Sequence, residues 1–217
     1  MIIILGPDHS GKSTLAEKVL DGAMLSDANV YPSKGSHEIS RYLDSYFRIQ
    51  LGGRNHMDWL YYLREQLEAL GILFTTTYPK LAKRNSDGYI SSWLISRTSS
   101  FLSVQRERWY PYGSKVVPFN LTLSPVSLAN WFMGDGSSSR NKGGAVMATL
   151  STHSFDHQDV HRLRLELGRI GIHTGKADYG KYHVITILQD SIDLLMSTIE
   201  PFVVPSFKYK VKYRGEE

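Results

Sequence analysis

The 217-residue sequence contains no cysteine. Disulfides, thiolate metal sites and a cysteine nucleophile are therefore excluded within it, and we expect a cytosolic compartment. No stretch approaches the roughly 18 apolar residues that a membrane-spanning helix needs. The apolar opening, residues 1–5, is too short for the core of a signal peptide and follows no basic residue, so we expect no secretion signal.

The charge balance is only slightly basic. Lys and Arg total 25 against 21 acidic residues, which gives a net charge of +4 and an isoelectric point near 9.1. This excess is compatible with nucleic-acid binding but does not require it. The basic residues recur in and beside polar, aromatic-rich stretches that have the character of strands.

The pattern of apolar residues and turn signals predicts the order helix, strands, helix, strands, helix, and predicts it twice. The expected helices cover about 13–25, 57–70, 99–109, 125–134, 155–170 and 190–200, and the expected strands lie within 29–54, 73–97, 145–154 and 172–188. Between the two halves, residues 111–124 contain two prolines, Pro111 and Pro118, and a Tyr-Gly-Ser loop, which is typical of a linker. Ser124 can cap the next helix, with Pro125 as its first residue.

Two segments repeat along the chain. Residues 64–72 match residues 164–172 in their Arg, Leu, Gly and Ile positions, and Val116-Val117-Pro118 recurs at 203–205. We therefore predict an internal duplication. A duplicated mixed fold forms a pseudo-dimer, which suits binding to a two-fold object such as a DNA duplex.

The first residues carry a phosphate-binding pattern. Residues 6–13 fit G-x-x-x-x-G-K-[ST], between an apolar strand and a helix, where backbone N–H groups and Lys12 can cradle phosphates. Such a site belongs to a parallel sheet of apolar strands, and none is evident downstream. A P-loop nucleotide kinase is thus the less favoured interpretation. Residues 1–13 resemble the start of a thymidylate-kinase-type enzyme, and we expect them to be an exon-derived leader.

Residues 128–136, with the sequence Leu-Ala-Asn-Trp-Phe-Met-Gly-Asp-Gly, resemble the LAGLIDADG motif. They are similar to the second copy in single-chain, intron-encoded LAGLIDADG homing endonucleases, and residues 123–126 extend the match. The first copy is residues 20–28. It departs from the motif at Asp21, where alanine is common, and at Ala28, where glycine is usual.

The small residues of both motifs keep one face of each helix narrow, so that two helix backbones can approach closely. These are Gly22, Ser26, Ala129 and Gly134, while the bulky Leu20, Met24, Trp131 and Phe132 are expected to face each half's own core.

The resemblance implies an α+β fold, a pseudo-symmetric duplication of an αββαββα unit. Its antiparallel sheets bind DNA, and its two motif helices pack at a central interface. The halves would be residues 14–110 and 125–217, joined by the linker 111–124. The implied activity is a metal-dependent double-strand break in a long, asymmetric DNA target, which promotes intron mobility. The protein would act as a monomer, without a membrane partner, in the cytoplasm of a bacterial or phage-infected cell.

The resemblance also implies a metal site. Asp27 and Asp135 would converge, and two carboxylates repel each other unless cations lie between them. Mg²⁺ suits such a site, Mn²⁺ would replace it, and Ca²⁺ would substitute without catalysis. Main-chain oxygens of Ala28, Gly134 and Gly136 would be further ligands, with the catalytic lysines Lys115 and Lys210 nearby.

The same resemblance implies that strand residues contact DNA. The expected base readers are Arg41, Arg48, Gln50, Arg97, Arg140, Thr152, His153 and Lys181. The expected phosphate contacts are Lys34, Lys83, Arg84 and Lys142, and Ser137, Lys208 and Lys212 complete the DNA-binding set.

One alternative has the same fold but a different activity. A family member that has lost cleavage would act as an RNA-binding intron maturase. Retention of both Asp27 and Asp135 favours the endonuclease, whereas the unusual motif at residues 20–28 leaves the maturase open.

Overall fold

The computed structural model describes residues 9–33, 44–52, 56–75, 80–84, 89–175 and 183–211. For residues 9–14, 80–84 and 89–90 it describes the backbone alone. The chain divides into two compact units, Met1–Arg108 and Trp109–Glu217. Both are mixed α+β units with antiparallel sheets, as predicted. The apolar strand expected at residues 1–5 lies outside the described residues. In the described part of the chain, no helix is both long and apolar enough to cross a membrane.

The first unit follows the predicted order of elements. Its elements are α1 (His9–Leu25), β1 (Asn29–Pro32), β2 (Ser45–Gly52), α2 (Met57–Glu68), β3 (Lys80–Arg84), β4 (Tyr89–Ile95) and α3 (Ser100–Trp109). The sheet has the strand order β1-β2-β4-β3, and all of its pairs are antiparallel. Helix α1 begins four residues earlier than expected, so residues 9–12 of the phosphate-binding pattern are helical.

Strand β2 shows how the sequence fixes the two faces of this sheet. Phe47, Ile49 and Leu51 are buried, while Tyr46 and Arg48, on the opposite face, are half-buried. This alternation follows from the two-residue period of a strand. The covered face packs on helices, among which α2 contributes Trp59, Leu60, Leu63 and Leu67, and α1 lies against α2.

The second unit begins at the strong motif. Its elements are α4 (Pro125–Asp135), β5 (Gly136–Arg140), β6 (Val146–Ser151), α5 (His157–Arg169), β7 (Val184–Thr186) and α6 (Ile192–Ile199), with 3₁₀ helices at Gln189–Ser191, Glu200–Phe202 and Pro205–Lys210. The antiparallel sheet has the order β5-β6-β7. Strand β5 was not predicted, because Gly and Ser are depleted in strands and favour turns. Its pairing with β6 overrides that preference.

The predicted start of α4 is confirmed. Ser124 is the N-cap, and its hydroxyl accepts a hydrogen bond from the Ser127 N–H at 3.2 Å. The Ser127 hydroxyl in turn accepts from the Ser124 N–H at 2.7 Å, and Pro125 fills the first helical position. This reciprocal capping satisfies N–H groups that a helix start otherwise leaves open.

The repeated segments adopt the same helix end in both units. Gly71 and Gly171 have φ angles of 77° and 80°, a left-handed conformation that favours glycine. The N–H of Ile72 donates to the Leu67 carbonyl at 3.2 Å, and that of Ile172 to the Leu167 carbonyl at 2.9 Å. The sequence repeat therefore has a structural counterpart in each unit.

The predicted linker, residues 111–124, packs partly into the second unit, where Val117, Pro118, Leu121 and Leu123 are buried. The Val117 N–H donates a hydrogen bond to the carboxylate of Asp159 on α5, which also pairs with Arg162. Burial raises the pKa of Asp159 above its ordinary value, and the Val117 N–H and Arg162 offset only part of this effect.

This raised pKa gives a prediction about stability and pH. Because the folded-state pKa lies above the unfolded one, ionised Asp159 opposes folding, and wild-type stability falls as the pH rises through the folded pKa. Asp159→Asn keeps an oxygen acceptor and does not ionise. We expect its stability relative to wild type to increase from about pH 4 to pH 7.

Urea unfolding at several pH values measures this difference, with the exposed Asp44→Asn as the matched control. A variant whose relative stability falls towards neutral pH would contradict the assignment.

Candidate functional site

The strong motif places a carboxylate where a helix passes directly into a strand. Asp135 is the last residue of α4, and Gly136 is the first of β5. A Cβ atom at Gly136 would lie 2.4 Å from the Phe132 ring and 2.5 Å from the Phe132 carbonyl oxygen. Since φ at Gly136 is −82°, packing and not backbone conformation demands glycine. Asp135 is thus held at the junction of α4 and its sheet.

Lys210 lies against the same helix end. Its ammonium group donates to the carbonyls of Met133 at 2.7 Å, Phe132 at 3.3 Å and Gly134 at 3.4 Å. The last carbonyls of a helix have no partner within the helix and carry partial negative charge, so a lysine there is stabilising. The Ser138 hydroxyl donates to the Lys210 carbonyl at 2.5 Å. The structure therefore brings Lys210 to the turn that carries Asp135.

The weaker motif ends differently. Helix α1 stops at Leu25, and Ser26 and Asp27 form a turn before β1. The Ser26 hydroxyl and the Ala28 N–H both donate to the Ala23 carbonyl, at 3.0 and 3.1 Å. Asp27 is exposed and Ala28 is buried. Three residues separate α1 from β1, whereas β5 follows α4 directly. Ala28 is therefore accommodated at the position where the other motif requires Gly136.

Asp21, the other departure from the motif, is buried in an ion pair. The residue is only 2 % exposed. Its carboxylate accepts hydrogen bonds from both terminal nitrogens of Arg108 on α3, with Nη2 at 3.2 Å from Oδ2. A buried carboxylate needs such a partner. Sequence reasoning missed this pair, because 87 residues separate its members.

The exposed face of the first sheet combines aromatic and polar groups. Tyr31 and Tyr46 stack with ring centroids 5.5 Å apart. Arg48 Nη2 donates to Gln50 Oε1 at 2.9 Å, and Gln50 Nε2 donates to the Ser91 hydroxyl at 3.3 Å. Two predicted base readers, Arg48 and Gln50, are therefore neighbours joined by a hydrogen bond on one face.

The exposed face of the second sheet is formed by smaller side chains. Cross-strand pairing aligns Ser137 with Thr149, Ser139 with Met147, and Thr149 with Thr186. The opposite face carries the buried Ala148, Leu150 and Ile185. Hydroxyl groups and one methionine thus form a surface able to contact base edges.

The remaining predicted DNA-binding residues have varied positions. Arg97, Arg140, Lys142, His153 and Lys208 are exposed, and Arg140 donates to the Gly144 carbonyl at 3.2 Å. Lys83 and Arg84 lie on β3. The other four lie outside the described residues: Lys34, Arg41, Lys181 and Lys212.

One further prediction is wrong, and another residue of the predicted site has a defined surrounding. Thr152 is 1 % exposed, and its hydroxyl donates to the His183 carbonyl at 2.8 Å, so it serves packing and not the expected DNA contact. Lys115 is half-buried, with its ammonium group 5.8 Å from the centroid of the Phe155 ring. Cation–π attraction stabilises that position.

The donor atoms at the motif ends are hard oxygens. They are the carboxylates of Asp27 and Asp135 and neighbouring main-chain carbonyls. Within the residues that the structure describes, no group of three or more His, Cys, Asp or Glu residues could hold a metal. Each motif end thus offers oxygen donors of the kind that Mg²⁺ prefers, and this ion takes only one or two carboxylates from a protein.

The fold defines a class of protein. The structure of the homing endonuclease I-WcaI bound to its DNA recognition sequence has the same fold, with a TM-score of 0.72. The two sequences are 19 % identical, and the match covers 98 % of this chain and 96 % of the I-WcaI chain. The chain belongs to the LAGLIDADG DNA endonuclease family, whose model matches residues 17–195.

Two relatives match most of the chain. An uncharacterised protein of Methanocaldococcus jannaschii is 28 % identical over 196 residues, covering 89 % of this chain and 72 % of the relative. The cytochrome b mRNA maturase bI2 of Debaryomyces hansenii is 30 % identical over 206 residues, with the same two coverages. The proteins to which this chain is similar therefore include one named as a maturase as well as a homing endonuclease.

The junction at Gly136 gives a stability prediction. Gly136→Ala places a methyl group against the Phe132 ring and carbonyl, and we expect it to destabilise the second unit by about 1–3 kcal/mol. Gly168→Ala is the matched control, because Gly168 lies within α5 with nothing within 4 Å of an added Cβ. That change should stabilise by about 0.5–1 kcal/mol.

Thermal and urea unfolding of both variants measure these effects. Equal stability of the two variants would show that Phe132 does not impose glycine at position 136.

Proposed function

We propose that this protein is a site-specific DNA homing endonuclease. It makes a metal-dependent double-strand break in a long, asymmetric target and so promotes the mobility of its intron. The observation that carries the proposal is the α4–β5 junction, where Asp135 directly precedes the first strand of a sheet with a polar exposed face. Membership of the LAGLIDADG DNA endonuclease family supports it.

Binding to DNA would use the two exposed sheet faces. Arg48 and Gln50 have the side chains that read guanine and adenine through paired hydrogen bonds, and Ser137 can bond to several bases. Exposed basic residues such as Lys142 and Lys208 are suited to phosphate contacts, which give affinity for any sequence and make binding depend on salt.

The metal ligands would be Asp27 and Asp135, with the main-chain oxygens of Ala28, Gly134 and Gly136. Mg²⁺ or Mn²⁺ bound there would supply the positive charge that activates a water molecule and stabilises the oxygens of the phosphodiester, and Ca²⁺ would bind without supporting cleavage. The chain's own contribution is to hold both carboxylates in place.

The two lysines would have different roles. The Lys210 ammonium group neutralises the carbonyl end of α4 within 3.4 Å of the Gly134 oxygen, so it holds the turn that presents Asp135. Lys115 would assist by neutralising a phosphate oxygen, with its side chain supported by Phe155.

The proposal includes an origin for the chain. The two motifs would mark an internal duplication with halves 14–110 and 125–217, and residues 1–13 would derive from the exon of a nucleotide-kinase gene. The protein would act as a monomer in the cytoplasm of a bacterial or phage-infected cell.

A specific observation favours a second candidate function. The relative from Debaryomyces hansenii is named as an mRNA maturase at 30 % identity, and the motif at residues 20–28 departs from the family pattern. An intron maturase would bind its own intron RNA and would not need Asp27 or Asp135 for that activity.

One experiment separates the two functions. The protein is incubated with Mg²⁺ and intron-less target DNA that spans the insertion point in the kinase gene. We expect double-strand cleavage by wild type and a loss of about 100-fold or more in Asp27→Asn and Asp135→Asn, because each loses a charged metal ligand.

Binding of the same DNA in Ca²⁺ serves as the control for folding and should change little in both variants. Full cleavage by both variants would refute the mechanism. Binding of intron RNA without cleavage of DNA by wild type would favour the maturase.

A further inference from the structure

We propose that Arg106 and Arg108, in the last turn of α3, are positioning residues for Asp27. Arg108 holds α1 on one side of Asp27, and Arg106 holds β1 on the other side. The inference rests on the proposed role of Asp27 as a metal ligand. We call these two contacts, Arg108 with Asp21 and Arg106 with Val30, the α3 clamp.

The first contact of the clamp is the buried ion pair. Asp21 is on α1, six residues before Asp27 in the sequence. The Asp21 side chain is 3 % exposed, and the Arg108 side chain is 20 % exposed. Arg108 also donates to Gln105 Oε1 at 3.2 Å, one turn earlier on α3. The guanidinium group is planar and donates through two nitrogens, which fixes direction as well as distance. The pair therefore resists both sliding and rotation of α1 relative to α3.

The second contact lies three residues after Asp27. Arg106 Nη1 donates to the carbonyl oxygen of Val30 at 2.7 Å. Strand β1 is at the edge of its sheet, where alternate carbonyls have no neighbouring strand to accept from. Arg106 supplies a charged donor to one of them. The start of β1 is thereby attached to the same helix turn that holds Asp21.

Asp27 lies between these two attachments in an exposed turn. Local hydrogen bonds shape the turn: Ser26 and Ala28 donate to the Ala23 carbonyl, and Asn29 Nδ2 donates to the Asp27 carbonyl at 3.1 Å. The α3 clamp adds a long-range restraint, because α1 and β1 are both attached to the same helix. Metal-dependent chemistry tolerates ligand displacements of only about 0.5 Å, so this restraint bears directly on Asp27.

The second motif shows that the fold alone does not require the ion pair. Asp21 is the second residue of its motif, and the second residue of the other motif is the buried Ala129. A motif helix therefore forms and packs without a carboxylate there. In the second unit, the direct junction at Gly136 and the contact from Lys210 hold the helix end instead. The clamp replaces a junction that the first unit lacks.

The test compares wild type with Arg106→Met, Arg106→Lys and the double variant Asp21→Ala/Arg108→Met, which leaves no unpaired buried charge. Arg64→Met is the matched control, because it removes an arginine from a more exposed pair with Glu68 on α2. DNA binding is measured in Ca²⁺, and single-turnover cleavage of the target is measured across a Mg²⁺ titration below the melting temperature of every variant.

We expect Arg106→Met and the double variant to bind DNA within about twofold of wild type. The substituted residues lie on helices α1 and α3 and not on a sheet face. Their cleavage at low Mg²⁺ should slow by about 10- to 100-fold, with a higher Mg²⁺ concentration at half-maximal rate. Arg106→Lys, which keeps one charged donor, should recover part of the rate. Arg64→Met should behave as wild type.

Two results would overturn the clamp with the proposed function intact. One is an unchanged Mg²⁺ dependence in Arg106→Met and the double variant. The other is slower cleavage at an unchanged half-maximal Mg²⁺ concentration, with a lower melting temperature, which would indicate a structural role alone. Wild-type protein that cleaves no target DNA would instead overturn the proposed function, and the clamp's role with it.

Discussion

The contact between Gly136 and Phe132 is the constraint on which the second unit's site depends. Because Gly136 has no Cβ atom, β5 can begin at the residue that follows Asp135. A Cβ atom there would lie only 2.5 Å from the Phe132 carbonyl oxygen. The backbone of Asp135 is consequently held by the helix and by the sheet together. Ser137, the next residue, already lies on the exposed face. The proposed chemistry and the proposed DNA surface are thus connected without an intervening loop, and rigid elements hold a site more accurately than loops do.

The first unit meets the same requirement with different contacts. Its motif ends in a turn, and alanine at position 28 is tolerated because no strand begins beside the helix backbone. Hydrogen bonds within the turn act over only a few residues, and arginine contacts from α3 add long-range attachments on both sides of Asp27. Departure from the family pattern at Asp21 and Ala28 therefore need not signal decay of the site. The two departures are parts of one alternative arrangement, in which a buried ion pair takes over from close backbone packing.

Local signals in the sequence predicted most of the fold. The Ser124 cap, Pro125, and the glycines at positions 71 and 171 act within a few residues, and each lies where expected. Features that depend on distant partners were missed. Strand β5 exists because β6 pairs with a sequence that by itself favours a turn. The partner of Asp21 is far away in the sequence, and Thr152 is buried because the His183 carbonyl approaches its hydroxyl. Of the proposed site, the motif residues were predictable and their supports were not.

The two sheet faces also differ in the chemistry they present. On the first, Arg48, Gln50 and Ser91 form a hydrogen-bonded row that holds an arginine and an amide in fixed orientations. On the second, the hydroxyl residues Ser137, Ser139, Thr149 and Thr186 share one face with Met147, which can contact an apolar methyl group of thymine. Identical half-sites would require similar reading surfaces, as in symmetric dimers. Faces as different as these are suited to unrelated half-sites, and this difference in side chains supports an asymmetric target.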